Sequence, residues 1–96
     1  MKRDAISIKE EDNVATALRD LSPGETASVG IGDRAIEIKL IDSVEYGHKF
    51  ALCDISAGEE IVKYGEVIGR ATAHIHTGAH AHIQNIESLR GRGDLA

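Results

Sequence analysis

Four of the five histidines in this sequence lie in one short stretch, ATAHIHTGAHAHIQN, as the pairs His74/His76 and His80/His82 on either side of a Gly turn. In an extended strand, residues i and i+2 face the same side about 6 to 7 Å apart, so His80 and His82 present two imidazoles to one region of space. That spacing suits a divalent ion such as Zn, Fe or Mn, although a stable site takes three or four ligands. His48, Glu66 and His76 are candidate third donors that spacing does not place. A solvated strand face is the plainer account of the bare pattern. For His74 and His76 the plainer account is exposed turn residues, because Thr77-Gly78 leaves their relation to His80 undefined.

A second candidate is YGHKFAL, positions 46 to 52. Gly47 lets the backbone bend at the mouth of a strand, so that His48 could offer an acid/base group and Lys49 a cation for a carboxylate. Read alone, the plainer account of these residues is the polar start of a strand. KYGEVIG places Gly65 and Gly69 four apart around Glu66, without the strand-to-helix setting that a phosphate-binding Gly loop needs. Cys53 lies in the apolar run KFALCDI and is expected to be a buried, inert thiol, since reactive thiols need an electropositive, accessible setting.

The elements that must position these residues read as mostly β. Ala5, Ile6 and Ile8 alternate with charges in a first strand. In DNVATALRDL the spacing of Val14, Ala17, Leu18 and Leu21 predicts one short helix with Asp12 as N-cap, ended by Ser22-Pro23-Gly24. TASVGIGDRAIEIKLID predicts a hairpin turning at Gly32-Asp33. KFALCDI and EEIVKYGEVIGRATAHI read as strands broken at Gly65 and Gly69, and AHAHIQNI as a last strand. DLSPGE, DISAGE and HIHTGA share an apolar residue three before a Gly, which predicts repeated corners of a β framework.

The 96 residues bound one domain, 1–96, with 86–96 as a C-terminal tail and little room for a deep pocket. With only Tyr46, Phe50 and Tyr64 aromatic, the core must be built from Ile, Val, Leu and Ala. A net charge of -5 argues against nucleic acid, and the short RGRG at 90–93 does not overturn that. No apolar run approaches the roughly 20 residues of a membrane helix or follows a signal-peptide pattern. A cytoplasmic protein without a membrane partner is expected.

Taken together, DNVATAL, GHKFALCDI, AGE, IVKYGEVIG and TGAHAH followed by Asn85 resemble the N-terminal SAF domain of the altronate and galactarate dehydratase family. They also resemble the free-standing small subunit of sulfolactate sulfo-lyases. The likeness runs from about Asp12 to Asn85. It implies a β-clip fold and a metal-dependent elimination of water or bisulfite from a 2-hydroxy acid, a sugar acid or sulfolactate, giving a 2-keto acid.

The resemblance further implies a divalent metal, Fe2+ or Mn2+ with Zn2+ as the alternative, and an active site shared with a large subunit. Gly47, His48 and Lys49 match the family's Gly-His-Lys, Tyr64, Gly65, Ile68 and Gly69 its Tyr-Gly-x-x-Ile-Gly, and His80, His82 and Asn85 its His-x-His-x-x-Asn. The implied roles are catalytic for His48, Lys49, His80 and His82, substrate-binding for Lys49 and Asn85, metal-ligating for His80 and His82, and structural for the three glycines. Gln84 stands where some relatives carry a further His, and His74 replaces a frequent Asp. The alternative is a non-catalytic module that binds a sugar acid or a protein partner. A homo-oligomer is compatible with either.

Overall fold

The computed structural model describes residues 3–88. Among them the chain forms β1 (Ala5–Ser7), β2 (Val14–Ala17), β3 (Thr26–Ile31), β4 (Arg34–Lys39), β5 (Lys49–Ala51), β6 (Glu60–Lys63), β7 (Glu66–Ala71), β8 (His80–Ala81) and β9 (Ile86–Ser88). Six strands make one sheet in the order β4-β3-β1-β2-β5-β8, and three make another, β6-β7-β9. This mostly β arrangement fits an SAF fold. Among the described residues no helix is long and apolar enough to cross a membrane. The Arg-rich 90–93 segment lies outside the described residues.

The short helix predicted from Asp12 does not form. Val14–Ala17 is a strand that pairs with β1 on one side (Ala5↔Ala17) and β5 on the other (Val14↔Ala51). The helical spacing is a coincidence of composition. Ala15, which that spacing puts off the apolar face, is fully buried, whereas Leu18 is 41% exposed. A strand inside a sheet covers both faces, and small Ala side chains meet that demand, so tertiary pairing overrides helix propensity.

Asp12 likewise caps no helix. Its Oδ2 accepts hydrogen bonds from Ser7 Oγ (2.9 Å), Ile8 N (3.1 Å) and Lys9 N (3.1 Å), and its Oδ1 one from Gly65 N (2.7 Å). One carboxylate thus ties the β1–β2 connection to the β6–β7 turn.

The predicted β3–β4 hairpin forms in register through Ile31↔Arg34, with Ile38 and Leu40 buried. The β6–β7 hairpin turns at Tyr64-Gly65, both at positive φ (54° and 79°). Gly69, expected as a break, instead lies inside β7. A Cβ there would meet Glu87 O at 2.6 Å and Ile86 Cγ2 at 2.8 Å, so the residue is small because β9 crosses close to it.

The repeated corners are real and there is a fourth. Leu21, Val44, Ile55 and Ile75 each precede by three a Gly at φ of 84° to 91°: Gly24, Gly47, Gly58 and Gly78. The corners join in pairs, Leu21↔Val44 and Ile55↔Ile75, each an antiparallel bridge. Asp20 Oδ1 accepts from Tyr46 N in the first pair as Asp54 Oδ1 accepts from Thr77 N in the second (both 2.8 Å). Between the two corners of each pair runs one hairpin, β3–β4 or β6–β7. The chain therefore contains one structural unit twice, and the fourth corner escapes the sequence pattern because Val44 stands where the others have Leu or Ile.

Two apolar clusters follow this division, one around Phe50, Leu40, Val29 and Val44, the other around Ile55, Ile61, Ile75 and Val14. Each such fully buried large side chain contributes roughly 1.5–3 kcal/mol. As the composition requires, the core is Ile, Val, Leu and Ala with Phe50 the one aromatic side chain in it.

Candidate functional site

Two corners deliver the histidines to each other. The corner at Val44 ends in His48 at the mouth of β5, and the corner at Ile75 leads into His80 on β8. β5 and β8 then pair antiparallel with Phe50↔His80 and Lys49↔Ala81. Opposite residues of an antiparallel pair share a face, so the Phe50↔His80 pairing puts His48, His80 and His82 on one side of the two strands. Ring centroids lie 5.2 Å apart for His48–His80, 4.7 Å for His48–His82 and 5.6 Å for His80–His82. The two members of the His-x-His motif thus share a side.

The strand expected to continue through Ile86 nevertheless ends at Ala81. Residues 82–85 form a turn in which Asn85 N and Ile86 N both donate to His82 O (3.0 and 2.8 Å). Asn85 builds this turn, its Oδ1 accepting from His82 N (2.9 Å) and its Nδ2 donating to His80 O (2.9 Å). Both ends of the amide named for substrate binding are therefore engaged with the backbone that carries the two histidines.

Hydrogen bonds assign the tautomer of His80. Gln84 Nε2 donates to His80 O (3.3 Å), which can only accept, so the amide is oriented with its NH2 toward His80 and donates to His80 Nδ1 (3.2 Å). His80 then carries its proton on Nε2 and donates to His48 Nδ1 (3.0 Å). His48 Nε2 lies 3.6 Å from Glu45 Oε1. Asp42 Oδ2 fixes the strand itself by accepting from His80 N (2.9 Å). The result is a chain of side-chain hydrogen bonds from Gln84 to His80 to His48, with Glu45 next to His48 beyond hydrogen-bond distance.

Burial, and then the neighbouring His48 and His82, push the His80 pKa below the ordinary imidazole value, while Asp42 opposes. His82 is lowered in the same way by burial, His48 and Lys49. Among the described residues the His82 ring makes no hydrogen bond. Both conditions leave His82 a neutral imidazole open at the surface of the cluster.

His82 and Lys49 share an open pocket of about 220 Å³ with Ile68, Ile83, Ile86 and Ser88. Lys49 is half-buried, and burial, with Lys63 adding repulsion, lowers its pKa. No carboxylate pairs with it among the described residues. A cation held in a partly apolar wall without a counter-ion is an unfilled electrostatic demand.

The cluster by itself is not a three-ligand metal site. The rings of His48, His80 and His82 lie face to face more than they converge, and both ring nitrogens of His80 are engaged. Ligation by His80 requires exchange of its bond to Gln84 or His48. Among the described residues, three ligand atoms come within 4.8 Å of one another only at Asp54, His74 and His76. His76 therefore lies with a different group, and Glu66 opens β7 beside the Tyr64-Gly65 turn. Cys53, expected to be buried, is exposed because β5 ends at Ala51. Partial desolvation of its thiol, then Glu59 and Asp54, raise its pKa, which keeps it protonated and a poor nucleophile.

Comparison with known proteins gives these residues a family. Residues 3–89 match the altronate/galactarate dehydratase SAF domain. The chain belongs to that SAF domain family. It is 42% identical over 80 residues to altronate dehydratase of Escherichia coli (strain K12), covering 83% of this chain and 15% of that protein. Galactarate dehydratase (L-threo-forming) of the same organism is 40% identical over 74 residues, 77% of this chain and 13% of that one. Subunit alpha of (2R)-sulfolactate sulfo-lyase from Chromohalobacter salexigens is 34% identical over 58 residues, 60% of this chain and 62% of the subunit. The SAF domain thus spans about a seventh of the dehydratases it matches and most of the sulfo-lyase subunit.

Gln84, Glu45 and Asp42 are the members of the cluster that residue types and spacing did not single out. Gln84 could be anticipated only from its position, four after His80 across a turn. Asp42 and Glu45 lie close to Val44, the corner residue that the repeated Leu/Ile-to-Gly pattern does not include.

Proposed function

We propose that this chain is the SAF domain or small subunit of a lyase that removes water or bisulfite from a 2-hydroxy acid, a sugar acid or sulfolactate, to give a 2-keto acid. Its active site is shared with a large chain. The observation that carries this reading is Lys49, a half-buried cation without an anionic partner among the described residues, lining one pocket with the open imidazole of His82. The relatives' printed activities supply the reaction class, and the 34% identical relative is itself a subunit.

Within this reading Lys49 binds the substrate carboxylate, and its ammonium draws negative charge toward the acid as the proton on C2 is lost. His82, neutral and unpaired, takes that proton from C2. The electron pair forms the C2–C3 double bond as the C3–oxygen or C3–sulfur bond breaks, and the enol then becomes the keto acid. Protonation of a departing hydroxyl is served by the His80–His48 pair, whose rings are joined by a 3.0 Å hydrogen bond. Asn85 and Asp42 position the two histidines.

A divalent metal, Fe2+ or Mn2+ with Zn2+ as the alternative, would take His82 and His80 together with ligands of the large chain, and in that case the large chain would supply the base in place of His82. When bound it supplies a Lewis acid that acidifies the proton on C2. Ile83, 83% exposed beside His82, offers that chain an apolar contact at the rim. The reading places the protein in the cytoplasm.

The test is co-expression with a large lyase chain, metal supplementation and a keto-acid assay on altronate, galactarate and sulfolactate. Turnover of one acid by the complex and none by the isolated chain is expected. Turnover by the isolated chain would overturn the shared site. A complex that binds one of the acids and converts none would make the chain a binding module.

A further inference from the structure

The corner at Ile75, which leads into His80, also creates with the corner at Ile55 a second group that the reaction does not use. Ile55 and Ile75 exchange backbone hydrogen bonds in an antiparallel bridge and point into the core, both buried (0% and 1% exposed). Their neighbours therefore point outward together. Asp54 stands across from His76, and His74 and His76 flank Ile75 on one face. The ligand atoms of all three residues lie within 4.8 Å of one another, the two rings have centroids 4.5 Å apart, and Asp54 Oδ2 is 4.0 Å from His74 Nε2.

The carboxylate is already oriented. Asp54 Oδ1 accepts from Thr77 N (2.8 Å) and Thr77 Oγ1 (2.9 Å), which leaves Oδ2 facing the imidazoles. Those two bonds also hold Asp54 below the usual carboxylate range, so it stays ionised. Ligands around a tetrahedral ion with bonds of about 2.0–2.1 Å sit about 3.3 Å apart. Exposed His and Asp side chains reach that from the observed spacing by small rotamer adjustments.

The duplicated unit provides an internal comparison. At the sister pair of corners Asp20 makes the same bond, to Tyr46 N, but Ser43 and Glu45 stand where His74 and His76 do. The fold builds this corner pair without imidazoles, so turn geometry does not account for the two histidines.

We propose that Asp54, His74 and His76 form a surface site for a divalent transition ion of the imidazole-preferring kind, Zn2+ being the reference case, with at least one coordination position open. Two imidazoles and a carboxylate form a mixed nitrogen and oxygen donor set of the kind that Zn2+ accepts. The site is separate from the His48, His80 and His82 cluster and is independent of the lyase reading.

Zn2+ titration of the full chain, followed by imidazole NMR and calorimetry, tests this. At the first equivalent the His74 and His76 signals are expected to shift. Asp54→Asn, which keeps the acceptor for Thr77, and His74→Gln should each raise the dissociation constant at least about tenfold, the scale of losses from metal-site substitutions. Asp20→Asn should leave it unchanged. Thermal midpoints of the variants near that of the parent exclude unfolding as the cause. First-equivalent shifts confined to His48, His80 and His82, or an affinity that Asp54→Asn and His74→Gln both leave intact, would overturn the proposal.

Discussion

Replacing Asp12 removes one carboxylate and four hydrogen bonds at once. Ser7 Oγ lies in a buried setting, with Ser7 4% exposed and Asp12 7%, so its bond to the charged acceptor is worth roughly 1.5–3 kcal/mol. Ile8, Lys9 and Gly65 lie at the surface, where water can replace the lost acceptor. Each of those bonds counts for about 0.5 kcal/mol, the low end of the net range. Asp12→Ala should therefore cost about 3 to 4.5 kcal/mol, a large share of the ~5–15 kcal/mol typical of a domain. Asp12→Asn, which keeps the shape and part of the acceptor capacity, should cost less.

The same carboxylate makes a pH signature. Burial acts to raise the Asp12 pKa, but the bonds from Gly65, Ile8, Lys9 and Ser7 outweigh it and hold the pKa below 3.8. A carboxyl depressed on folding contributes stability above the unfolded value and loses it as pH falls through the folded value. The gap between parent and Asp12→Asn should thus be full at neutral pH and close below pH 3.8. Urea unfolding at a series of pH values measures both quantities. An Asp12→Ala loss under about 1 kcal/mol, the size of one ordinary hydrogen bond, or a gap that stays constant into acid, would refute the reasoning.

Gly69→Val drives a side chain into Glu87 O and should cost about 1–3 kcal/mol by overpacking, read as a lowered thermal midpoint. Gly65→Val, at φ 79°, should cost a similar amount, about 1–3 kcal/mol, through backbone strain. His80 and His82, whose pKa values are lowered on folding, bind fewer protons than in the unfolded chain just below pH 6.5, so stability should rise with pH there. His80→Gln should flatten that slope in unfolding curves taken from acid to neutral pH. Lys63→Ala removes a repelling charge and should raise the Lys49 pKa, visible in the titration of its side-chain NMR signals.

Local chemistry was legible where it repeats or alternates. The β3–β4 hairpin follows from alternation around Gly32-Asp33, and the corners from an apolar residue set three before Gly. What failed were features decided by distant partners. β2 is a strand because β1 and β5 flank it, and nothing in VATA records that. Asp12 reaches Gly65, 53 residues away, in place of a local cap. Gly69 is set by the crossing of β9, and Cys53 is exposed because β5 is short.

At the candidate site, alternation places His80 with His82, but His48 arrives from 32 residues away through a different corner. Family likeness singles out the same three histidines, while the geometry adds the hydrogen bond that joins His48 to His80. The Asp54, His74 and His76 group shows the converse, since its two histidines depart from the pattern of the other corners and are brought to Asp54 by a bridge that sequence spacing does not reveal.

The central claim is that His80 and His82 belong to a catalytic surface completed by another chain. Steady-state keto-acid production by the reconstituted complex tests it most directly, with assembly and metal content measured on the same preparations. His80→Ala and His82→Ala should each lower turnover by at least about 100-fold, the usual cost of an acid/base or ligand-positioning group. His74→Ala and His76→Ala should stay within a few-fold of the parent. Normal turnover by correctly assembled His80→Ala and His82→Ala complexes would contradict the account and leave this stretch a polar strand and turn.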